Sequence, residues 1–347
     1  MAGSGGRTPI DRQTDFRSGA SAPTMPQVPE QTLMEYRQTV LRGVPWIRPS
    51  ALAATALEAM PALPSRAQED RIADIHDSLR GGSHHSRYTQ CRRLAALDSR
   101  LGEILAERAA RQRIRIHDMA ASNAITSLEL FEYLRDREAV LVKASDYYDR
   151  LHVVNVGGRW RVAFDVDRKP IQYIGRRMMV CARRPDPDAP TVDTIVKPAL
   201  QAALLPPALA ALQRALDDMR ADPMQTDQYH QMSLFHPRCR SEAATDTRFE
   251  LQRDDLFSPA PYRYDVVRVA NALSTDFMSE ARIVAGVRAV AATIVEGGLL
   301  VLGRNAAGGD GPARGTIFVL NRDRLTPLAD VSDGYQHKEV VRQLTLG

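Results

Sequence analysis

The run Ile114-Arg-Ile-His-Asp118-Met-Ala-Ala-Ser-Asn-Ala-Ile-Thr126-Ser-Leu-Glu-Leu-Phe-Glu-Tyr-Leu-Arg135, followed by Ala139-Val-Leu-Val-Lys-Ala-Ser-Asp146, decides the fold. Ile114 and Ile116 alternate into Asp118, which predicts a strand of about six residues. The small residues at 120–124 predict a tight turn. Leu128, Phe131 and Leu134 then recur at helical spacing, and 139–144 reads as a second apolar strand closed by Ser145-Asp146. Strand, small loop, helix, strand and acid, in that order, make a βαβ unit.

Downstream, residues 153–165 predict a hairpin around Gly157-Gly158, continued by Pro170–Gly175. Residues 192–220 read as helix, interrupted at Pro206-Pro207. Together these form an insertion at about 152–248, not a standard crossover. The α/β rhythm resumes at Phe249-Glu-Leu-Gln-Arg-Asp254-Asp255 and continues with a strand at 264–270 ending at Asn271, in which Arg268 is out of place among apolar residues and is expected to reach an edge or a charged partner. A helix over 279–294 follows, with Ile283, Val287, Val290 and Ile294 on one face. A turn at Gly297-Gly298 leads into a buried strand, and 315–320 and 339–345 read as two final strands.

Upstream, residues 31–110 read as a helical cap. Leu33, Tyr36, Val40 and Leu41 recur near helical spacing, as do Ile72, Ile75 and Leu79, and then Leu94, Leu97, Leu101, Ile104 and Leu105 with arginines opposite. Gly81-Gly82-Ser83 marks a break. Those arginines are read as a solvated helix face in preference to a contact for an anionic partner. Residues 1–30 carry almost no apolar periodicity and are expected to be a disordered arm.

With 44% hydrophobic and 25% charged residues and a net charge of +4, the 347-residue chain has a globular composition and no single-sign run resembling a nucleic-acid arm. Three scattered cysteines, Cys91, Cys181 and Cys239, fit a reducing compartment. No apolar run is long enough for a membrane span, and the start lacks a secretory core, so a cytoplasmic protein is expected. His84, His85 and Cys91 match no structural zinc spacing, so no metal site is expected. Gly157-Gly158 lacks the Lys-Ser/Thr of a phosphate loop, and Gly303–Gly311 reads as a flexible loop.

The order of parts from about residue 111 to 347 resembles the class I S-adenosylmethionine-dependent methyltransferases. The likeness extends to a group, distantly related to chemotaxis-receptor methyltransferases, whose first loop reads Asp-x-Gly-x-Ser-Asp-Gly-x-Thr-Ser before a Leu-Glu-Leu helix. Here that loop is Asp118-Met-Ala120-Ala-Ser122-Asn-Ala124-Ile-Thr126-Ser127, with alanine at two positions where the family has glycine. The resemblance implies an α/β, Rossmann-like doubly wound sheet of the seven-stranded methyltransferase type, with an N-terminal helical region and a hairpin and helical insertion. It implies S-adenosyl-L-methionine as cofactor, with Asp118, Ala120 and Ser122 in the loop beneath its methionine part. Asp146 would take the ribose hydroxyls; by spacing alone it reads equally as a turn or capping aspartate. Asp255, beside Leu256 and Phe257, would hold the adenine, with Asp254 left open. Asn271 would line the place where cofactor and acceptor meet. Positive φ at either position would cost alanine more than glycine.

Methyl transfer needs alignment and desolvation more than a dedicated base. His236, Asn271 and Tyr262 are the catalytic candidates, with His152 and Tyr147 behind them; His236, preceding Pro237, is expected on a loop before a strand. The acceptor, a small molecule or a protein, is not named by the sequence, and a homodimer stays open. The alternative is a catalytically inactive relative acting as a binding module. A nicotinamide-dependent oxidoreductase ranks last, because its Gly-x-Gly-x-x-Gly fingerprint is absent.

Overall fold

The computed structural model describes residues 47–79, 91–108, 113–136, 140–182, 192–221, 228–259, 261–276, 278–305 and 313–346. The expected arm at 1–30, the residues Leu33, Tyr36, Val40 and Leu41, the break at 81–83, His84, His85 and most of the Gly-rich loop lie outside them. In chain order the elements are β1 (Ile47–Pro49), α1 (Arg66–Ser78), α2 (Ala95–Arg108), β2 (Ile114–Met119), α3 (Ile125–Leu134), β3 (Val140–Asp146), β4 (Arg150–Val156), β5 (Trp160–Phe164), β6 (Pro170–Ile174), β7 (Met178–Cys181) and α4 (Val192–Ala221). They continue with β8 (Tyr229–Ser233), α5 (Pro237–Thr245), β9 (Phe249–Arg253), β10 (Tyr264–Ala270), α6 (Glu280–Ala291), β11 (Ile294–Arg304), β12 (Arg314–Asn321), β13 (Arg324–Val331) and α7 (Lys338–Gln343). Two short 3-10 turns, Ser50–Leu52 and Ala54–Ala59, lie between β1 and α1.

The main sheet has seven strands in the order β13-β12-β11-β10-β2-β3-β9. From β11 to β9 neighbours run parallel, whereas β12 and β13 are each antiparallel to the strand before. The chain winds outward from β2 through β3 to β9, returns to the other side of β2 as β10, and winds outward again. This is a doubly wound α/β sheet whose strand order reverses between β2 and β10.

A sheet covered on both faces needs apolar residues in succession, not in alternation. Leu299, Leu300, Val301 and Leu302 of β11 meet that need. Val266, Leu299 and Val301 pack with Leu97 and Leu101 of α2 and Leu128 and Phe131 of α3. Val267, Leu300 and Leu302 turn the other way, onto Ile283, Val287 and Val290 of α6.

Between β3 and β9 the chain builds a second, antiparallel sheet in the order β1-β7-β6-β5-β4-β8. Helix α4 covers one face, seating Leu204, Ala208 and Leu212 on Val154, Val162, Phe164, Tyr173 and Val180. Gln172 is fully buried, accepting from the Ala54 N–H and donating to Ser78 Oγ, which ties the segment before β2 to this sheet. No helix among the described residues is long and apolar enough to cross a membrane.

Five expectations change. The helix expected over 279–294 stops at Ala291, and Ile294, read on its apolar face, opens strand β11 instead. The N-terminal region read as helical also contains β1, an edge strand of the second sheet. Helix α4 runs through Pro198, Pro206 and Pro207 without a break; its seating on the sheet offsets the lost hydrogen bonds. The final strand expected at 339–345 is helix α7, because Val341 and Leu344, three apart, bury the same side. Strands β8 and β13 and helix α5 are additional to the reading.

Candidate functional site

In an open doubly wound sheet, ligands bind outside the carboxyl ends of the strands where the order reverses. Here that place lies between β2 and β10, and the loop leaving β2 has an unusual backbone. Ala120, Ser122 and Ala124 all have left-handed φ, at 54°, 58° and 64°. Each non-glycine residue in that region costs about 1–2 kcal/mol, so the surroundings must hold the loop. The Ala121 N–H donates to Ser145 O at 2.9 Å, and Asp146 Oδ2 accepts the Ser122 N–H at 2.8 Å. Asn123 O accepts the His236 N–H at 2.8 Å, and Asn123 Oδ1 accepts the Ile125 N–H at the start of α3. The two positions where the resembled family has glycine are both left-handed.

Beneath the loop lies a buried ion cluster. Arg268, fully buried in β10, sends Nη1 to Asp98 of α2 and Nη2 to Asp118 Oδ2 at 2.5 Å and Thr126 O at 2.9 Å. Ser127 Oγ donates to the same Asp118 oxygen at 2.5 Å. The two carboxylates outweigh burial and raise the guanidinium's pKa, holding it charged. Asp118, expected in the cofactor loop, is thus 2% exposed, with its carboxylate turned to Arg268 and Ser127.

Other expected residues gather at the same end of the sheet. Asp146, half-buried, also accepts the Tyr148 N–H at 2.9 Å, and its carbonyl receives the Asp254 N–H at 3.4 Å. The loops after β2, β3 and β9 therefore lie side by side. Asp255 Oδ1 accepts the Phe257 N–H at 3.0 Å. Leu256 and Phe257 join Met119, Ala120, Ala272 and Leu273 in one apolar cluster that spans the switch point. Gly286 lets α6 approach it, since a Cβ there would stand 2.6 Å from Leu273 Cδ2. Asp254 faces elsewhere, with Oδ2 3.3 Å from Lys143 Nζ.

Asn271 leaves β10 with φ 64°. Its Oδ1 accepts the Asn305 N–H at 2.7 Å, which fixes the orientation of the amide. Its Nδ2 is buried with no acceptor in reach.

The remaining catalytic candidates are placed differently. His236 is no loop residue: it caps α5, its Nδ1 accepting the Arg238 N–H at 3.2 Å. That leaves Nε2 to donate to Glu69 Oε2 at 2.9 Å. Burial, then Arg238 and Arg240, push its pKa down to about 4, so the ring is neutral and bonded on both sides. Its contribution to the loop is the backbone bond to Asn123. Tyr262 is 63% exposed and precedes β10, at the opposite end of that strand from Asn271. His152 bonds Tyr229 at 2.8 Å in the second sheet, and Tyr147 donates to Asp167 at 2.7 Å. A cavity of about 580 Å³ lies in the second sheet beside Gly157, Gly158 and Arg214, away from the switch point.

The sequence reading missed Asp98, Arg93, Asn305 and a polar cluster of His117, Lys143, Ser145 and Tyr264. The last group was visible as charged or polar residues inside the apolar strands β2, β3 and β10. Arg268 stood out in the same way, and its partners are now identified.

No protein-family model matches this chain, and no curated protein matches it. Among solved structures it is similar to an amino pentose methyltransferase from Micromonospora echinaspora with bound SAM, at 14% identity over 69% of this chain and 62% of that one, TM-score 0.30. It is also similar to magnesium protoporphyrin IX methyltransferase from Synechocystis PCC 6803 with bound SAH, at 11% identity over 68% and 71%, TM-score 0.29. For the first three such structures the match spans less than half of their own length, at 45%, 38% and 49%. Likenesses at these TM-scores carry no argument, and the doubly wound assignment rests on strand order and direction.

Proposed function

We propose that this chain is a class I S-adenosylmethionine-dependent methyltransferase acting on a small-molecule or protein acceptor. The observation that carries this reading is the left-handed loop at 120–124, drawn against Asp146 beside the reversal of strand order. The residues present fit the cofactor. Asp146 would take the ribose hydroxyls, and Leu256 and Phe257 offer an apolar surface for the adenine with Asp255 at its edge. The bound cofactor supplies an electrophilic methyl on a sulfonium.

The chain's own residues orient and exclude water. The apolar cluster of Met119, Ala120, Leu256, Phe257 and Leu273 desolvates one side of the crevice. Of the three catalytic candidates none is a ready base: His236 is bonded at both nitrogens, Tyr262 lies at the other end of β10, and the Asn271 amide takes no proton. The acceptor would therefore present a nucleophile with a lone pair available at neutral pH. A cytoplasmic site of action agrees with three cysteines that no disulfide joins.

Titration calorimetry with S-adenosylmethionine and S-adenosylhomocysteine tests the reading. Micromolar binding is expected, and no heat from a folded sample would overturn it. A second reading, a binding module without turnover, draws on the alanine methyls at Ala120 and Ala124. It predicts that cofactor binding appears only after both are changed to glycine.

A further inference from the structure

Arg93 precedes α2 and reaches the carboxyl ends of β10 and β11. Its neighbour Leu94 packs on Ala270, the last residue of β10, and on Ala313. A guanidinium carries five donors, yet Arg93 makes one long hydrogen bond, from Nη1 to Asn305 Oδ1 at 3.5 Å. Its Nε is shut off from solvent with no partner. The carboxylates that act on it from further off are each committed elsewhere: Asp98 and Asp118 to Arg268, and Glu129 to the Arg92 N–H through both oxygens at 2.8 Å. A charged donor shut off from solvent and left unmet is costly unless something completes it.

Asn305 is shared. Its side chain meets Arg93 and its backbone N–H meets Asn271 Oδ1, and Asn271 Nδ2 is the other buried donor without an acceptor at this end of the sheet. Arg93 and Asn271 thus share Asn305 as a neighbour beyond β10 and β11, and each keeps one buried donor unmet, the one on Arg93 being part of a charged group. The loops after β2, β3 and β9 lie across the reversal, on the other half of the sheet. Among the described residues no acidic side chain bonds to Arg93, Asn271 or Asn305.

We infer that Arg93 and Asn271 form a seat for an oxyanion, a carboxylate or phosphate group, carried by the second substrate. Calling the ligand a second substrate rests on the methyl-transfer reading; the anion seat itself does not. The guanidinium fork and the amide donor hold the anion while the reacting part of the substrate reaches back toward the switch point.

The test is titration of the full chain with inorganic phosphate and with acetate, each with and without saturating S-adenosylhomocysteine. Saturable binding of at least one anion is expected, unchanged within about twofold by S-adenosylhomocysteine. Arg93→Met and Asn271→Asp, the latter keeping the acceptor for Asn305 N–H, should each weaken it about tenfold or more. Arg93→Lys, which keeps the charge and loses the fork, should fall between. Should Arg93→Met fail to fold, Asn271→Asp and Arg93→Lys carry the test. Anion affinity untouched by the substitutions would overturn the inference, as would displacement of the anion by S-adenosylhomocysteine, which would assign the seat to the cofactor's own carboxylate. Phosphate binding through Arg93 in a protein that takes no S-adenosylhomocysteine would sustain the seat and sink the methyl-transfer reading.

Discussion

The main sheet buries a cation on each face, and the two are held very differently. Arg268 lies under α2 and α3, grips Asp98 and Asp118 through separate nitrogens, and joins residues 170 and 150 positions apart. Lys143 lies on the opposite face of β3, where the connection from β9 to β10 contains no helix. It reaches Asp254 and Tyr264 Oη at 3.3 Å each, longer than charge-assisted bonds of about 2.7–2.9 Å. Beside it His117 donates to or accepts from Ser145 Oγ at 2.8 Å through Nε2 and leaves Nδ1 without a partner. A planar fork under two helices makes a rivet; a point charge under a loop makes a looser contact.

The comparison breaks if the two cations prove equal. Arg268→Met strands two buried carboxylates and should cost about 3–5 kcal/mol in urea unfolding. Lys143→Met strands only Asp254, which can turn toward solvent, and should cost about 2 kcal/mol or less. A larger loss at Lys143 would reverse the assignment of rivet and loose contact.

A pH series sharpens the contrast. Burial, then Lys143, hold His117 down to about 3, against an ordinary value of 6.5; His236 lies at about 4. Each histidine is neutral when folded and protonates more readily when unfolded. Stability should therefore be fully present above about pH 6.5 and fall by about 1.4 kcal/mol per unit per histidine as pH drops toward 4. His117→Asn should flatten that slope; an unchanged slope in thermal melts would remove His117 from the account. The smallest effect concerns the loop. Ala124→Gly relieves a left-handed alanine at the cost of glycine's chain entropy and should raise stability by about 1 kcal/mol or less. A loss in calorimetric stability would show that the Ala124 methyl, buried in the α3 core, outweighs the strain.

What the sequence disclosed follows the range of the interactions. The βαβ unit and its loop are local in chain and were legible from pattern, whereas Asp146 and Asn271 were singled out only through the family resemblance. Arg268 was legible as an anomaly without its partners, because Asp98 and Asp118 lie far away in sequence. Arg93 read as one of several arginines on a solvated face, since nothing nearby marks its contact with Asn305, which is 212 positions distant. Helix α5 was hidden by reading His236-Pro237 as a loop, although proline suits the first helical turn. Strand β13 carries Pro327, which suits an edge strand and obscured it.

Strand β3 ends and β9 begins as hydrogen-bonded neighbours, Asp146 standing opposite Arg253 and Val142 opposite Phe249. The whole excursion through residues 147–248 thus leaves and re-enters at one edge, its two ends about one short strand apart, roughly 13 Å. Such an arrangement behaves as a cassette. Its contents can lengthen, shrink or be exchanged during evolution while the sheet's strand order is untouched, because a parallel pair asks only for a crossover of about a dozen residues. Among the threads that limit that freedom are β1, stitched to the cassette's far strand, and the His236 N–H on Asn123. A transplanted or pruned cassette would have to keep both for the loop at 120–124 to retain its shape.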